Sequence, residues 1–264
     1  MIAVQLVDPA FNDPASFSAV FLIVALFAYG FQVYMDLSGY TDIAIGVAKM
    51  LGYKLPVNFN RPYLAISVSN FWQRWHITMS SFFRDYLYES ITKWSWSNIY
   101  LNLWIVFIAI GIWHGAGWNF VLYGFIHGSF VGFEHFKRQR NERQNITPMV
   151  YRGFALLVRI VQVFSIITLT RLLFRGDDLT SCWEYLAAIL NNHPSDATIS
   201  FLAAFLLLVA AFLHFTPVRW RYKLMLSVSR LNAIFFAMLS LAFSMVLYGL
   251  LAKAEFLGST DGMS

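Results

Sequence analysis

Cysteine and charge are both scarce in this sequence. Cys182 is the single cysteine among 264 residues, which excludes an intrachain disulfide framework and a metal site built from several cysteines. Charged residues make up 12% of the chain and hydrophobic residues 58%, whereas soluble domains average about 25% and roughly 45–50%. The composition therefore excludes an ordinary soluble domain and predicts an integral membrane protein.

The net charge of +5 does not come from one basic domain. The lysines and arginines fall between apolar runs, as expected of loops that flank membrane spans, so we expect no nucleic-acid partner. The sequence has no His-Glu-x-x-His pattern, and we expect no bound metal. The first 14 residues contain Asp8 and Asp13 but no basic residue, which argues against a cleavable signal peptide.

Long apolar runs dominate the chain. A helix that crosses a bilayer needs roughly 20 mostly apolar residues, and four runs meet this requirement: 17–34, 154–173, 199–215 and 233–251. A fifth run, 101–133, is too long for one untilted helix and carries glycines near its middle, so it predicts two helices that meet at a glycine-rich turn. The sequence thus predicts an all-α, polytopic integral membrane protein with about six transmembrane helices.

We interpret residues 1–264 as a single membrane domain in four parts. These are a first span, a re-entrant or cytoplasmic helical segment, a helical pair and three further spans, at 14–35, 36–95, 99–135 and 152–251. The segment from 36 to 90 has aromatic residues at helical spacing with arginine and aspartate between them. Such amphipathic segments lie at the interface or re-enter the membrane. The polar residues at 36–42 predict a fixed hydrogen-bond network.

The distribution of basic residues predicts the orientation. Lysines and arginines precede and follow the run at 101–133 and recur at 219–230, whereas the loop predicted at 175–200 carries one basic residue against four carboxylates. This alternation fits the positive-inside rule if the run crosses twice, with the basic segments in the cytoplasm. The chain would then begin outside the cell without a signal peptide. We therefore expect it to be the C-terminal portion of a larger protein, or to depend on a partner that supplies earlier helices.

His114 is an ionisable side chain inside the apolar run at 101–133. A polar group at membrane depth is costly unless it is paired or lines a wet cavity, so its default interpretation is functional. His76 lies upstream in a segment rich in tryptophan and arginine, and the two histidines form the candidate active site. The alternatives are that His114 is a packed hydrogen-bonding group between helices, beside small glycines, and that His76 is an interfacial side chain.

Several ordered motifs resemble one known family, the membrane-bound O-acyltransferases, and within it the branch of alginate O-acetylase and of teichoic-acid D-alanylation. The motifs are YMDLSGYTD at 34–42, NFNRPY at 58–63, FWQRWH at 71–76, RDYLY at 84–88, WHG at 113–115 and LFRG at 173–176. They extend over about residues 17–190. The resemblance implies a multi-helix fold with a funnel or tunnel, and further helices before the motif at 34–42.

The resemblance also implies roles for individual residues. His114 matches the family's catalytic histidine, for which we expect the role of general base, because an imidazole with a pKa near 6.5 is mostly neutral at pH 7. His76 matches the family's second characteristic histidine, and our hypothesis is that it orients the acyl donor or carries a proton. Arg74 and Arg84 are candidates for the phosphates of coenzyme A, since arginine forks match phosphate oxygens, although cytoplasmic arginines are expected from topology alone.

Other polar residues receive weaker assignments. Trp113 and Asp36 are further candidates for binding the donor, although the interpretation that the sequence favours for Asp36 is a polar group of the scaffold. His127, Glu134 and His135 are interpreted as structural or interfacial.

The leading hypothesis is an O-acyltransferase of the cell membrane. Its donor would be acetyl-CoA or another acyl thioester, with no tightly bound cofactor. Its acceptor would be a hydroxyl of an extracytoplasmic polysaccharide such as alginate, or a periplasmic partner protein that completes the transfer. The alternatives are D-alanyl transfer to teichoic acid, a transporter and an inactive fragment. The transporter is an alternative because buried histidines and broken helices also build transport sites.

Overall fold

The protein is all-helical throughout the part that the computed structural model describes, residues 3–147, 149–191, 199, 201–216 and 220. Ten α-helices occur in these residues: α1 Asp8–Asn12, α2 Ala19–Met50, α3 Val68–Trp72, α4 Ile77–Phe82, α5 Glu89–Ile91, α6 Ile99–His114, α7 Trp118–Arg143, α8 Gly153–Arg175, α9 Leu179–Asn191 and α10 Phe201–Phe215. Shorter π and 3₁₀ turns occur at Ala3–Val7, Pro14–Ser16, Pro62–Leu64 and Phe83–Tyr88.

The chain divides into two compact units, Met1–Phe215 and Thr216–Ser264. Nearly all of the second unit, including the predicted span at 233–251, lies outside the described residues. The interpretation of residues 1–264 as a single domain therefore stays a prediction, and the features below belong to the first unit.

Two of the described helices, α2 and α8, are long and apolar enough to cross a bilayer, by length and composition. Helix α6 is apolar but has only 16 residues. The predicted count of six spans therefore stays a prediction.

Helix α2 continues well beyond residue 35, where the sequence interpretation ended the first span. It begins at Ser18, whose side chain accepts a hydrogen bond from the Phe21 amide, and it runs for 32 residues. It ends in a Schellman motif: Gly52 has a φ of 85°, and the Tyr53 amide donates to the Ala48 carbonyl at 2.8 Å. Glycine is favoured at this position because other residues rarely adopt a positive φ.

The polar network predicted at 36–42 is instead local to α2. The Ser38 hydroxyl donates to the carbonyl of Met35, and the Thr41 hydroxyl to the carbonyl of Ser38 at 3.0 Å. Serine and threonine often bond to the preceding helical turn in this way. Because these hydroxyls find partners within their own turn, the segment continues as helix.

Helices α6 and α7 form the antiparallel pair that the sequence predicts at 99–135, although α7 runs on to Arg143. The turn between them contains Gly115 and Gly117. The helices approach closely where glycine removes the side chain: a Cβ on Gly111 would lie 2.2 Å from the Phe120 carbonyl oxygen, and one on Gly124 would lie 2.3 Å from that of Phe107. Small residues permit this close packing of membrane helices.

The segment between α2 and α6 folds against this pair. At the start of helix α3, the Glu134 carboxylate of α7 accepts hydrogen bonds from the amides of Val68 and Ser69 at 2.8 and 2.9 Å. These N-terminal amides have no partner within the helix, so the carboxylate satisfies them. Phe71, Trp72 and Trp75 then enter a hydrophobic cluster that also contains residues of α2, α6, α7 and α8. The part of the segment around these aromatic residues is therefore internal, and it positions the half-buried His76 that follows.

A second hydrophobic cluster joins the start of the chain to α2, α8 and α9. Leu6, Val7 and Ala10 are buried in it with Cys182 and Tyr185. The sequence interpretation treated residues 175–200 as a loop, whereas α9 occupies Leu179–Asn191. The Tyr185 hydroxyl donates to the Leu22 carbonyl at 2.7 Å, which ties α9 to α2.

Candidate active site

His114 is the last residue of α6 and lies among aromatic rings. Its ring centroid is 4.7 Å from that of Phe174, near the end of α8, and 4.6 Å from that of Trp113. Helix α6 ends here because Gly115 leaves the helical conformation before the turn to α7. The imidazole is thus carried on the end of a rigid helix and is only partly buried.

Asn119 fixes the part of α8 that contacts His114. Its side-chain amide donates to the carbonyl oxygens of Leu173 at 3.0 Å and Gly176 at 2.9 Å, and the residue is fully buried. These two bonds hold the end of α8, and hence Phe174, against the start of α7. The position of the His114 ring therefore depends on packing between three helices.

His76 has an unusual backbone conformation. It immediately precedes α4 with φ 42° and ψ 57°, in the left-handed region that side chains other than glycine and asparagine seldom adopt. The flanking chain is held by Asn58: its carbonyl accepts the Ile77 amide at 2.9 Å, and its side-chain oxygen accepts the Thr78 amide and hydroxyl at 3.1 and 3.0 Å. This clamp stabilises a conformation that sterics alone disfavour.

Trp113 is adjacent to both histidines. Its ring is 6.3 Å from that of His76 and 4.6 Å from that of His114, and it also approaches Phe83 at 6.5 Å. The two histidines that the sequence singles out thus contact one indole, although they are 38 positions apart. His76 Nδ1 is buried with no hydrogen-bond partner among the described residues, which leaves a polar atom open for another group.

Replacing Asn58 with alanine is expected to destabilise the protein by about 1–3 kcal/mol, because the two hydrogen bonds that its buried side chain accepts from Thr78 are lost. The His76 backbone loses its clamp with it, so any activity that needs His76 should fall as well. The thermal unfolding midpoint in detergent measures the first effect. Asn60→Ala is the matched control, since that side chain is exposed and its backbone bond to Arg74 is retained. Equal midpoints for the two variants would contradict the clamp.

The arginines proposed to bind donor differ in their surroundings. Arg74 Nε donates to the Asn70 side chain at 3.1 Å and Nη1 to the Asn60 carbonyl at 3.4 Å, so Arg74 braces the loop beside His76. Arg84 is exposed, pairs with Asp85 at 2.7 Å and lines a cavity of about 380 Å³. Of the two, Arg84 is the better placed to meet a ligand.

This cavity has one apolar and one polar side. Residues of α6 form the apolar wall, and Gln73, Ser80, Ser81 and Arg84 supply polar groups. Neither histidine lines it, but Ile77, which follows His76 in the chain, and Ile110, one helical turn before His114, do.

Asp36 is not part of this arrangement. It lies on the exposed C-terminal half of α2, and no hydrogen bond joins it to either histidine within the described residues.

His127 has the geometry of a structural histidine. It is fully buried; Trp72 Nε1 donates to its Nδ1 at 3.1 Å, and its Nε2 is 2.9 Å from the Thr170 hydroxyl. Since Nδ1 accepts, Nε2 carries the proton and donates to Thr170, whose hydroxyl donates to the Ile167 carbonyl. Both ring nitrogens are therefore occupied in joining α3, α7 and α8.

Arg171 is the residue near the site that sequence reasoning missed. It is 2% exposed on α8, and its guanidinium carbon lies 4.2 Å above the Trp75 ring. It lies one helical turn before Phe174, the residue of α8 whose ring packs on His114. The signal was present, because Arg171 lies inside the predicted apolar span 154–173 and an ionisable residue at membrane depth marks a candidate site.

The described residues contain no group of three His, Cys, Asp or Glu side chains that could share a metal ion. The expectation that the protein binds no metal stays a prediction.

Comparison with known proteins identifies the family. The sequence model of the membrane-bound O-acyltransferase family matches residues 7–175, well over half of the chain and a region that contains both histidines. The chain belongs to the membrane-bound O-acyltransferase family. This confirms the resemblance that the motifs indicate.

Individual relatives fall into three groups within this family. The probable alginate O-acetylase of Azotobacter vinelandii is 34% identical over 184 residues, which cover 69% of this chain and 34% of the relative. A peptidoglycan O-acetyltransferase of Helicobacter pylori is 35% identical over 187 residues, 70% of this chain and 34% of the relative. A teichoic acid D-alanyltransferase of Bacillus subtilis is 30% identical over 164 residues, 57% of this chain and 40% of the relative. The chain thus spans about a third of the length of the first two relatives.

Proposed function

We propose that this protein is a multi-pass enzyme of the cell membrane that transfers an acyl group, acetyl in the first instance, from a cytoplasmic thioester to a hydroxyl outside the cytoplasm. The observation that carries the proposal is the contact of His76 and His114 with one indole inside the region matched by the family. Histidine is the side chain best suited to move protons near neutral pH.

His114 acts as the general base in this proposal. Its unprotonated ring nitrogen takes the proton of the acceptor hydroxyl while the oxygen attacks the carbonyl carbon of the thioester. A carbon–oxygen bond forms, and the π electrons of the carbonyl move to its oxygen. When this intermediate collapses, the carbon–sulfur bond breaks and the leaving thiolate takes the proton from the imidazolium. The reaction yields an ester and a free thiol, and His114 returns to its neutral form.

His76 orients the donor. Burial lowers the pKa of His76, so the ring is neutral at pH 7 and can accept or donate a hydrogen bond without carrying a charge. Its buried Nδ1 is free of protein partners among the described residues. In this position the ring can bond to the thioester arm beside Trp113.

The cavity beside Arg84 is the proposed site for the donor's arm. The apolar wall from α6 suits its methylene groups, and Gln73, Ser80 and Ser81 suit its amides. Arg84 lies at an exposed edge, where a phosphate group can pair with a guanidinium in water. Coenzyme A or a carrier-bound thioester fits this pattern, and either enters as a substrate rather than as a bound cofactor.

The acceptor is proposed from the relatives. Two of them are named for O-acetylation of alginate and of peptidoglycan, so we assign an extracytoplasmic polysaccharide such as alginate, reached directly or through a periplasmic partner that completes the transfer. The second candidate is D-alanyl transfer to teichoic acid, which the relative from Bacillus subtilis favours. Both reactions use the same ester-forming chemistry.

Acyl transfer in isolated membranes distinguishes these functions. Membranes from cells that carry the protein are given radiolabelled acetyl thioester in one reaction and D-alanyl thioester in the other, and alkali-labile label on polysaccharide is counted. We expect label from the acetyl donor that is absent from membranes of a deletion strain. Label from the D-alanyl donor alone would show that the transferred acyl group is D-alanyl and not acetyl. No difference from the deletion strain with either donor would contradict the enzymatic proposal.

A further inference from the structure

Arg171 has an unusual position for a charged side chain. It is 2% exposed, and its Nε and Nη2 atoms have no hydrogen-bond partner among the described residues. No carboxylate pairs with it in this part of the chain, where the ion pairs involve other residues. Nε and Nη2 form one edge of the guanidinium, the fork that binds two oxygens of a carboxylate or phosphate, or a single oxyanion.

Arg171 is buried beside the neutral phenol of Tyr63 and has no acidic partner among the described residues. A cation removed from water loses its hydration, and the Trp75 ring beneath it replaces only part of that interaction. Buried polar groups in native proteins nearly always have partners, so an unpaired fork points to a group that binds there during function. An oxygen atom with negative charge satisfies both donors at once.

The surroundings of Arg171 connect it to both histidines. Trp75, over which the guanidinium lies, directly precedes His76 in the chain. Phe174, one helical turn after Arg171 on α8, packs on the His114 ring at 4.7 Å. Arg171 therefore lies on the α8 side of the region that contains both histidines.

We propose that Arg171 is a catalytic residue whose fork stabilises the oxyanion that forms on the carbonyl oxygen of the acyl group when the hydroxyl attacks. The inference rests on the proposed function, since it assigns a partner to that oxygen. Donors held in place before the reaction, in a site with little water, are the usual means of stabilising such an intermediate. Arg171 gains and loses no proton in the step, because its guanidinium remains charged throughout.

Two substitutions test the fork. Arg171→Gln removes the charge, and Arg171→Lys keeps it but loses the paired geometry. The oxyanion exists only after attack, so kcat is expected to fall while KM for the thioester stays within about twofold. We expect a loss of about 10²–10³ in kcat for Arg171→Gln and a smaller loss for Arg171→Lys. Arg159→Gln, on the same helix, is the control and should retain both constants.

Failure of this inference and failure of the proposed function would give different results. Absence of transfer by the wild-type protein would contradict the proposed function. If the wild-type protein is active, an unchanged kcat in either folded variant would overturn the role of Arg171. If neither variant accumulates, methylphosphonate, a tetrahedral anion that carries a methyl group, is tested on wild-type membranes. Inhibition competitive with acetyl thioester is expected, and a lack of inhibition would overturn the inference.

Discussion

Replacing His114 with glutamine is expected to lower the rate of acyl transfer by about 10²–10⁴-fold, the usual contribution of a positioned general base. Glutamine retains polarity and approximate size but cannot take the hydroxyl proton. The ring lies at the end of α6 and packs on Phe174, so the substitution removes chemistry while leaving most of the contact area. The initial rate of transfer in membranes, normalised to the amount of protein, measures the effect.

The control for His114 is His135→Gln. His135 lies towards the other end of the α6–α7 pair, where its ring is hydrogen-bonded to Arg138 at 3.0 Å, and its loss should leave the rate within about twofold. A second informative variant is His76→Asn, because asparagine tolerates the left-handed backbone that His76 adopts. A rate for His114→Gln equal to that of the wild type would remove His114 from the mechanism.

Alanine at Gly124 is expected to disrupt the α6–α7 pair. The new Cβ would lie 2.3 Å from the Phe107 carbonyl oxygen, and because that neighbour is backbone, the helices must separate. Overpacking of this kind costs about 1–3 kcal/mol and sometimes more. The thermal unfolding midpoint in detergent should fall, and acyl transfer should fall with it because the pair positions His114.

The same helix contains graded controls. A Cβ on Gly128 would meet the Trp104 side chain at 2.9 Å, and one on Gly132 would meet the Tyr100 side chain at 3.5 Å. The expected order of destabilisation is therefore Gly124→Ala, then Gly128→Ala, with Gly132→Ala neutral or stabilising by up to about 1 kcal/mol through helix propensity. Equal effects at all three positions would show that helix propensity, rather than interhelical distance, decides the outcome.

The α6–α7 pair was predictable because its signal is local. An apolar run too long for one helix, interrupted by glycines, has few alternatives in a membrane. The helical ends at Gly115 and Gly117 follow from the same glycines. His114 was predictable for a similar reason, since one ionisable residue among apolar neighbours is visible without knowledge of the fold.

The remaining features were not predictable from apolar runs, because they depend on a local cap or on tertiary contacts. The end of α2 depends on a capping motif at Gly52 rather than on the polar residues at 36–42, whose hydroxyls bond within the helix. The conformation of His76 depends on Asn58, 18 positions earlier. Arg171 was overlooked because a single charge among basic residues near span ends resembles a topological signal. Only the folded chain brings it above Trp75.

Ester-linked acetate on the surface polysaccharide, measured by NMR, tests the central claim most directly. The cells compared carry the wild-type gene or His114→Gln at the native locus, with protein abundance measured in both. Loss of the acetate signal at normal abundance is the result expected of an O-acetyltransferase that uses His114. An unchanged acetate signal at normal abundance would contradict it.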